Sequence, residues 1–150
     1  MVDAAILQEW ISKAEDDFQF ARISLEESKP FSAHICFLFQ QSAEKYLKAF
    51  ILAQGLKFQK THDLSVLLKK CLEKAPDIAR LSDDCDLLAT FYVETRYPVH
   101  WPASFGLEDA ELAHQASERD LCTTYCRFLI FACPFDQYCL LFSSNVKITG

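Results

Sequence analysis

Apolar residues recur every three or four positions along most of the chain, which is the spacing of one face of an α-helix. The first such stripe covers residues 3–28, and a second, wider stripe covers residues 32–53. Lys29-Pro30 separates them, and Gly55 is suited to end the second helix. The second stripe carries several large aromatic rings, so we expect a central helix that is covered on most sides.

Three more segments show helical spacing. Thr61-His-Asp-Leu64 is typical of a helix start, with Thr61 as the N-cap and Asp63 in the first turn. Another helix is predicted to begin near Pro76 and to continue through Tyr92, and a last one begins at Leu107. Glycine and proline are scarce, with 3 and 5 in the whole chain, which indicates helices joined by short connections.

The composition changes after residue 120. Residues 121–150 contain only Arg127, Asp136 and Lys147 as charged side chains, but four of the seven cysteines. The apolar run there is interrupted and shorter than the ~20 residues that a membrane-spanning helix needs, so we expect no membrane association. We therefore divide the chain into a helical unit, residues 1–120, and an atypical apolar, Cys-rich extension, residues 121–150. A buried or dimer-covered extension and a segment unmatched to the fold, such as a shifted reading frame, both remain open.

Length and charge limit the function. A chain of 150 residues is one domain, and a net charge of −6 argues against wrapping nucleic acid over the whole surface. Seven lysines nevertheless fall in the middle third and predict a local anion-facing surface; they are Lys45, Lys48, Lys57, Lys60, Lys69, Lys70 and Lys74.

The first residues lack a secretory signal, and the cysteines lack the spacing of a zinc site. The cysteines are therefore expected to be reduced thiols in a cytoplasmic protein. We expect neither a bound metal nor another cofactor.

Candidate chemistry is densest in residues 91–102. Arg96 and His100 can both reach an anion, and Pro98 should stop the preceding helix near them. The simpler interpretation is a helix C-terminus at which Arg96 caps carbonyls and pairs with Glu94. His62, at a helix start, is open to a structural or a functional interpretation.

Four motifs in order resemble the HEPN domain, the higher eukaryote and prokaryote nucleotide-binding family. They are Ala14-Glu-Asp-Asp17, Gln40-Gln-Ser-Ala-Glu-Lys-Tyr-Leu-Lys48, Thr61-His-Asp-Leu64 and Glu94-Thr-Arg-Tyr-Pro98. The resemblance extends from about residue 3 to 115. It implies an all-α fold, an up-and-down antiparallel bundle of four to five helices that is commonly dimeric.

The Arg-Tyr-Pro segment resembles family members that partner a minimal nucleotidyltransferase. The resemblance thus implies a nucleotide- or RNA-binding subunit, expected as a homodimer, whose partner is encoded by an adjacent gene in a toxin–antitoxin-like pair. The candidate binding residues are Arg96, Tyr97, Lys45, Lys48, His62 and Glu94.

Two alternatives stay open, and with them the question of whether the protein is an enzyme. Other family members are metal-independent endoribonucleases, in which Arg96 and His100 would be the catalytic pair. Only three residues separate these two, one of them Pro98, whereas the nuclease motif has four to six. The other alternative is a structural dimerisation bundle without a ligand.

Overall fold

The computed structural model describes the backbone of residues 3–94 and 105–132, and their side chains except at positions 93, 94, 121, 122 and 125–132. These ranges contain five α-helices and one short 3₁₀ helix, and no strand. They are α1 (Ala4–Glu26), α2 (Ser32–Ala53), α3 (Leu64–Cys71), the 3₁₀ helix Pro76–Leu81, α4 (Ser82–Glu94) and α5 (Leu107–Ala132). The predicted all-α bundle is confirmed.

Helix α2 is the centre of the bundle, as its aromatic content predicts. It packs against α1, α3, α4 and α5, and Phe39, Leu47 and Ile51 on it are fully buried. Helix α1 runs antiparallel to it, since Phe18 of α1 contacts Phe39 near the start of α2 while Trp10 lies beside Lys48 further along. One hydrophobic core therefore surrounds α2 and sets the positions of the other helices.

Two helices end in the same hydrogen-bonded motif. After α2, Gly55 N donates to Leu52 O and the next amide donates to Ile51 O, both at 3.0 Å, with Gly55 in the left-handed region at φ 63°. After α1, Ser28 takes the equivalent place at φ 52°. This arrangement satisfies carbonyls that a helix end leaves unpaired, and glycine adopts it without strain.

The start of α3 differs from the prediction. Asp63, not Thr61, is the N-cap, and its side chain accepts hydrogen bonds from Ser65 N and Val66 N. Thr61 instead accepts from Asp63 N at 3.1 Å. Thr61 and Asp63 can both cap a helix. Because Asp63 is the N-cap, His62 lies before α3 and not in its first turn.

The segment predicted as one helix from Pro76 is two elements. The 3₁₀ helix Pro76–Leu81 precedes α4, which ends at Glu94. Ile78, Leu81, Cys85 and Leu88 still share one buried face. The hydrophobic spacing therefore predicted the buried face correctly. It does not distinguish a 3₁₀ helix from an α-helix.

Helix α5 continues across the predicted domain boundary at residue 120 and reaches Ala132. Residues 133–150, most of the predicted extension, lie outside the described residues, so the division of the chain stays a prediction. Among the helices that the structure describes, none is both long and apolar enough to cross a membrane.

Candidate functional site

The most polar part of the interior surrounds Glu44, whose side chain is only 4% exposed. Lys48 Nζ donates to Glu44 Oε1 at 2.7 Å, and Gln40 and Gln41 donate to Oε2 at 3.4 and 3.3 Å. His62 Nδ1 lies 3.0 and 3.1 Å from the two carboxylate oxygens. We call these five residues the Glu44 cluster. Since four side chains converge on one buried carboxylate, its burial is compensated.

Lys48 is the buried cation of this cluster. Its side chain is 7% exposed, and its Nζ lies 5.9 Å from the ring centres of both Trp10 and Phe58. Those two rings are themselves 5.7 Å apart. Lys48 is thus held between a carboxylate and two aromatic rings, which is a favourable environment for a desolvated ammonium group.

His62 is the exposed member, with 56% of its side chain accessible. It lies just before α3 because Asp63 caps that helix. As the partner of the Lys48 ammonium group, Glu44 is a carboxylate, and a carboxylate only accepts hydrogen bonds. Nδ1 of His62 is therefore the protonated nitrogen, and Nε2 is on the opposite side of the ring.

An aromatic stack supports the imidazole. The ring of His62 lies 5.1 Å from that of Tyr92, with an interplanar angle of 16°, and Tyr92 is 6.4 Å from Phe37. Tyr92 is in the last turn of α4, four positions before Arg96 in the sequence. The stack thus connects α2, α4 and the segment before α3.

The structure brings together two of the predicted binding residues, Lys48 and His62, through Glu44. Lys45 is on another side of α2 and forms an ion pair with Asp17 of α1, which links the two helices. Arg96, Tyr97 and His100 lie outside the described residues, as does the side chain of Glu94. Their predicted roles remain untested.

Sequence reasoning missed Glu44 and Tyr92 as members of this site. In the sequence, Glu44 is distinguished only as part of the second family motif, and Tyr92 only as a late position of the helix predicted from Pro76. The spacing of Gln40, Glu44 and Lys48, four residues apart, already places them on one line of the helix. That line is buried, which only the packing of the other helices reveals.

A second buried acid lies away from this cluster. Asp120 of α5 is completely buried, and among the described side chains none meets either of its carboxylate oxygens at hydrogen-bond geometry. The hydroxyl of Thr124 is close enough to lower the pKa of Asp120, but only as the smallest of the three effects on it. Burial, and then the charge of Asp84, raises the pKa of Asp120 to about 8. Burial, and then the charge of Asp120, raises the pKa of Cys71 to about 12, so this thiol is unreactive.

Comparisons with known proteins agree with the fold. The family model of the HEPN domain matches residues 7–122. The crystal structure of TT1696 from Thermus thermophilus is similar with a TM-score of 0.72 and 27% identity, over 81% of this chain and 97% of that one. ST0689, an archaeal HEPN homologue, is similar with a TM-score of 0.65 and 26% identity, over 81% and 96% of the two chains. Comparison with curated proteins gave no match.

The bundle around α2 and the extent of the family match define the class, and the chain belongs to the HEPN domain family. The Glu44 cluster lies within the matched residues, on a fold shared with both solved structures.

Proposed function

We propose that the protein is a nucleotide- or RNA-binding HEPN subunit that partners a minimal nucleotidyltransferase encoded by an adjacent gene, in a toxin–antitoxin-like pair. The Arg-Tyr-Pro segment at Arg96 connects the chain to the family members that work in this way. The single structural observation that supports it is the Glu44 cluster, which holds an exposed imidazole against the ring of Tyr92. Tyr92 comes four positions before Arg96 in the sequence.

The Glu44 cluster is suited to contact a ligand because its charged members, Glu44 and Lys48, are buried while His62 is exposed. A buried ion pair is weak support for stability, since well-packed apolar residues often serve as well. Here the buried charges of Glu44 and Lys48 hold one side chain, His62, which remains 56% exposed. A side chain that buried partners hold in one orientation, and that is itself exposed to solvent, is typical of a binding site.

The two lysines of the predicted site have different roles in this proposal. Lys48 is enclosed by Trp10 and Phe58, so it acts by holding Glu44 rather than by contacting the ligand. Lys45 is 20% exposed and is neutralised by Asp17. Surface contact with a nucleotide or RNA would come from His62, together with Arg96 and Tyr97.

Co-expression with the nucleotidyltransferase from the adjacent reading frame tests the partnership. We expect the two proteins to elute together in size-exclusion chromatography after purification through a tag on the nucleotidyltransferase. Arg96→Ala should weaken this association or the binding of a nucleotide, whereas Lys13→Ala, on the exposed surface of α1, should change neither. A HEPN protein that elutes alone, without its neighbour, would contradict the proposed partnership.

Binding of a ligand is tested by thermal melting with nucleotides and short RNAs. A ligand at 100 times its dissociation constant stabilises the folded state by roughly 2.7 kcal/mol, which gives a clear rise in melting temperature. The two alternatives predict different results. A structural bundle shows no rise with any ligand, and a metal-independent endoribonuclease cleaves RNA in the presence of a chelator and loses that activity in Arg96→Ala and His100→Ala.

A further inference from the structure

The orientation of His62 follows from the hydrogen bonds to Glu44. Its Nδ1 lies 3.0 and 3.1 Å from the two oxygens of a carboxylate that has no proton to donate. A neutral imidazole carries one proton, and at His62 that proton is on Nδ1. Nε2 is therefore a hydrogen-bond acceptor, and no described residue donates to it.

Two contacts fix the direction of that acceptor. Glu44 is buried and anchored by Lys48, and the imidazole lies nearly parallel to the ring of Tyr92. Rotation about the side chain of His62 would break both the hydrogen bond and the stack. A lone pair is thus presented at a fixed place on the surface.

Because Nε2 of His62 accepts a hydrogen bond, it requires a hydrogen-bond donor on the ligand. Phosphate oxygens are themselves acceptors, so a neutral Nε2 does not bind them. Hydroxyl groups of ribose can donate, and the 2′-hydroxyl is the group by which a protein tells RNA from DNA at a given site.

We propose that His62 accepts a hydrogen bond from a ribose 2′-hydroxyl through Nε2, with Glu44 as the positioning residue, so that the site takes ribonucleotides in preference to deoxyribonucleotides. This inference rests on the proposed function and names its ligand class. It concerns His62 and Glu44 alone and does not require Arg96 or His100 to be catalytic.

The test compares oligouridine with oligodeoxyuridine of the same length, because these two probes differ only in the 2′-hydroxyl. Fluorescence anisotropy at pH 8 gives the two dissociation constants. The wild type should bind oligouridine roughly three- to tenfold more tightly, the range expected for one hydrogen bond.

The decisive variant is His62→Phe, which keeps a ring to stack on Tyr92 and removes both nitrogens. Its affinity for oligouridine should fall to that for oligodeoxyuridine, while the affinity for oligodeoxyuridine stays unchanged. His34→Phe is the matched control, since His34 is exposed at the start of α2. That variant should keep the wild-type ratio.

The remaining outcomes separate the two proposals. Equal binding of both oligonucleotides by the wild type, or an unchanged ratio in His62→Phe, overturns the role of His62 and leaves the binding function intact. Failure of both oligonucleotides to bind the wild type overturns RNA binding and this inference together. Because His62 is largely exposed, His62→Phe should fold, and its melting temperature checks that it does.

Discussion

Among the described residues, an ion pair between a glutamate and the lysine four positions later forms twice, in opposite environments. Glu9 and Lys13 form an ion pair at 2.8 Å on the surface of α1, with side chains 64% and 61% exposed. Glu44 and Lys48 have the same spacing and a distance of 2.7 Å, but only 4% and 7% of their side chains are exposed. Water compensates the first pair, whereas only the Glu44 cluster and the aromatic rings compensate the second.

Removing one charge should therefore lower the free energy of unfolding only in the buried pair. Lys48→Met is expected to lower the free energy of unfolding by about 3 kcal/mol, because it leaves a buried carboxylate without its cation. Lys13→Met, at the exposed pair, should leave the free energy of unfolding unchanged within error. Urea denaturation of both variants checks this, and equal effects at the two sites would show that burial does not distinguish them.

Asp120 gives the protein a predictable dependence on pH. The pKa of its carboxyl is raised from 3.8 to about 8 in the folded state, first by burial and then by Asp84. Between these values the folded state keeps a proton that the unfolded chain has lost. The free energy of unfolding should therefore fall as the pH rises from about 4 to about 8, by up to about 1.4 kcal/mol per pH unit, and then become level.

Asp120→Asn should remove this slope and should be more stable than the wild type at pH 8. Asp16 is exposed on α1, and Asp16→Asn should keep the slope as a matched control. Chemical denaturation at a series of pH values measures all three proteins. Parallel curves for the wild type and Asp120→Asn would mean that this carboxyl does not stay protonated in the folded state.

At the scale of the helices, the two ends with left-handed residues differ in one respect. Gly55 follows α2 at φ 63° and Ser28 follows α1 at φ 52°, with equivalent hydrogen bonds. A side chain in this conformation is strained, and glycine is not. The backbone at Ser28, after α1, is therefore strained, whereas the backbone at Gly55, after α2, is not.

Ser28→Gly should raise the free energy of unfolding by about 0.5–1 kcal/mol, because it relieves this strain. Gly55→Ala is the reciprocal control and should lower it by about 1 kcal/mol. A β-carbon at Gly55 would meet nothing within 4 Å, so that loss would come from the backbone alone. If Ser28→Gly left the free energy of unfolding unchanged or lowered it, the conclusion that Ser28 is strained would be contradicted.

Helix positions were the part of the fold that the sequence predicted well. Hydrophobic spacing identified α1, α2 and the start of α5 because each has a continuous apolar face. It placed the start of α3 at Thr61 rather than Asp63, since either residue can cap a helix, and it joined the 3₁₀ helix to α4. These errors arise because local capping and helix type are decided by hydrogen-bond geometry and not by hydrophobic spacing.

At the scale of the whole molecule, the candidate site depends on contacts that no single segment contains. Glu44 comes from α2, His62 from the segment before α3 and Tyr92 from α4. The resemblance to the family placed Lys48 and His62 among the binding residues, but it could not show that a buried carboxylate joins them. Long-range packing decides this, and packing is not visible in the periodicity of any one helix.

The central claim is that His62 presents an unprotonated Nε2 to a ribonucleotide ligand. A long-range ¹H–¹⁵N correlation spectrum of the ¹⁵N-labelled protein at pH 8, with His62→Phe to assign the signals, reports the protonation of each ring nitrogen directly. We predict a protonated Nδ1 and an unprotonated Nε2 in the free protein, with an Nε2 signal that shifts when oligouridine is added and much less with oligodeoxyuridine. A proton on Nε2 instead of Nδ1, or an Nε2 signal that oligouridine leaves unchanged, would contradict it.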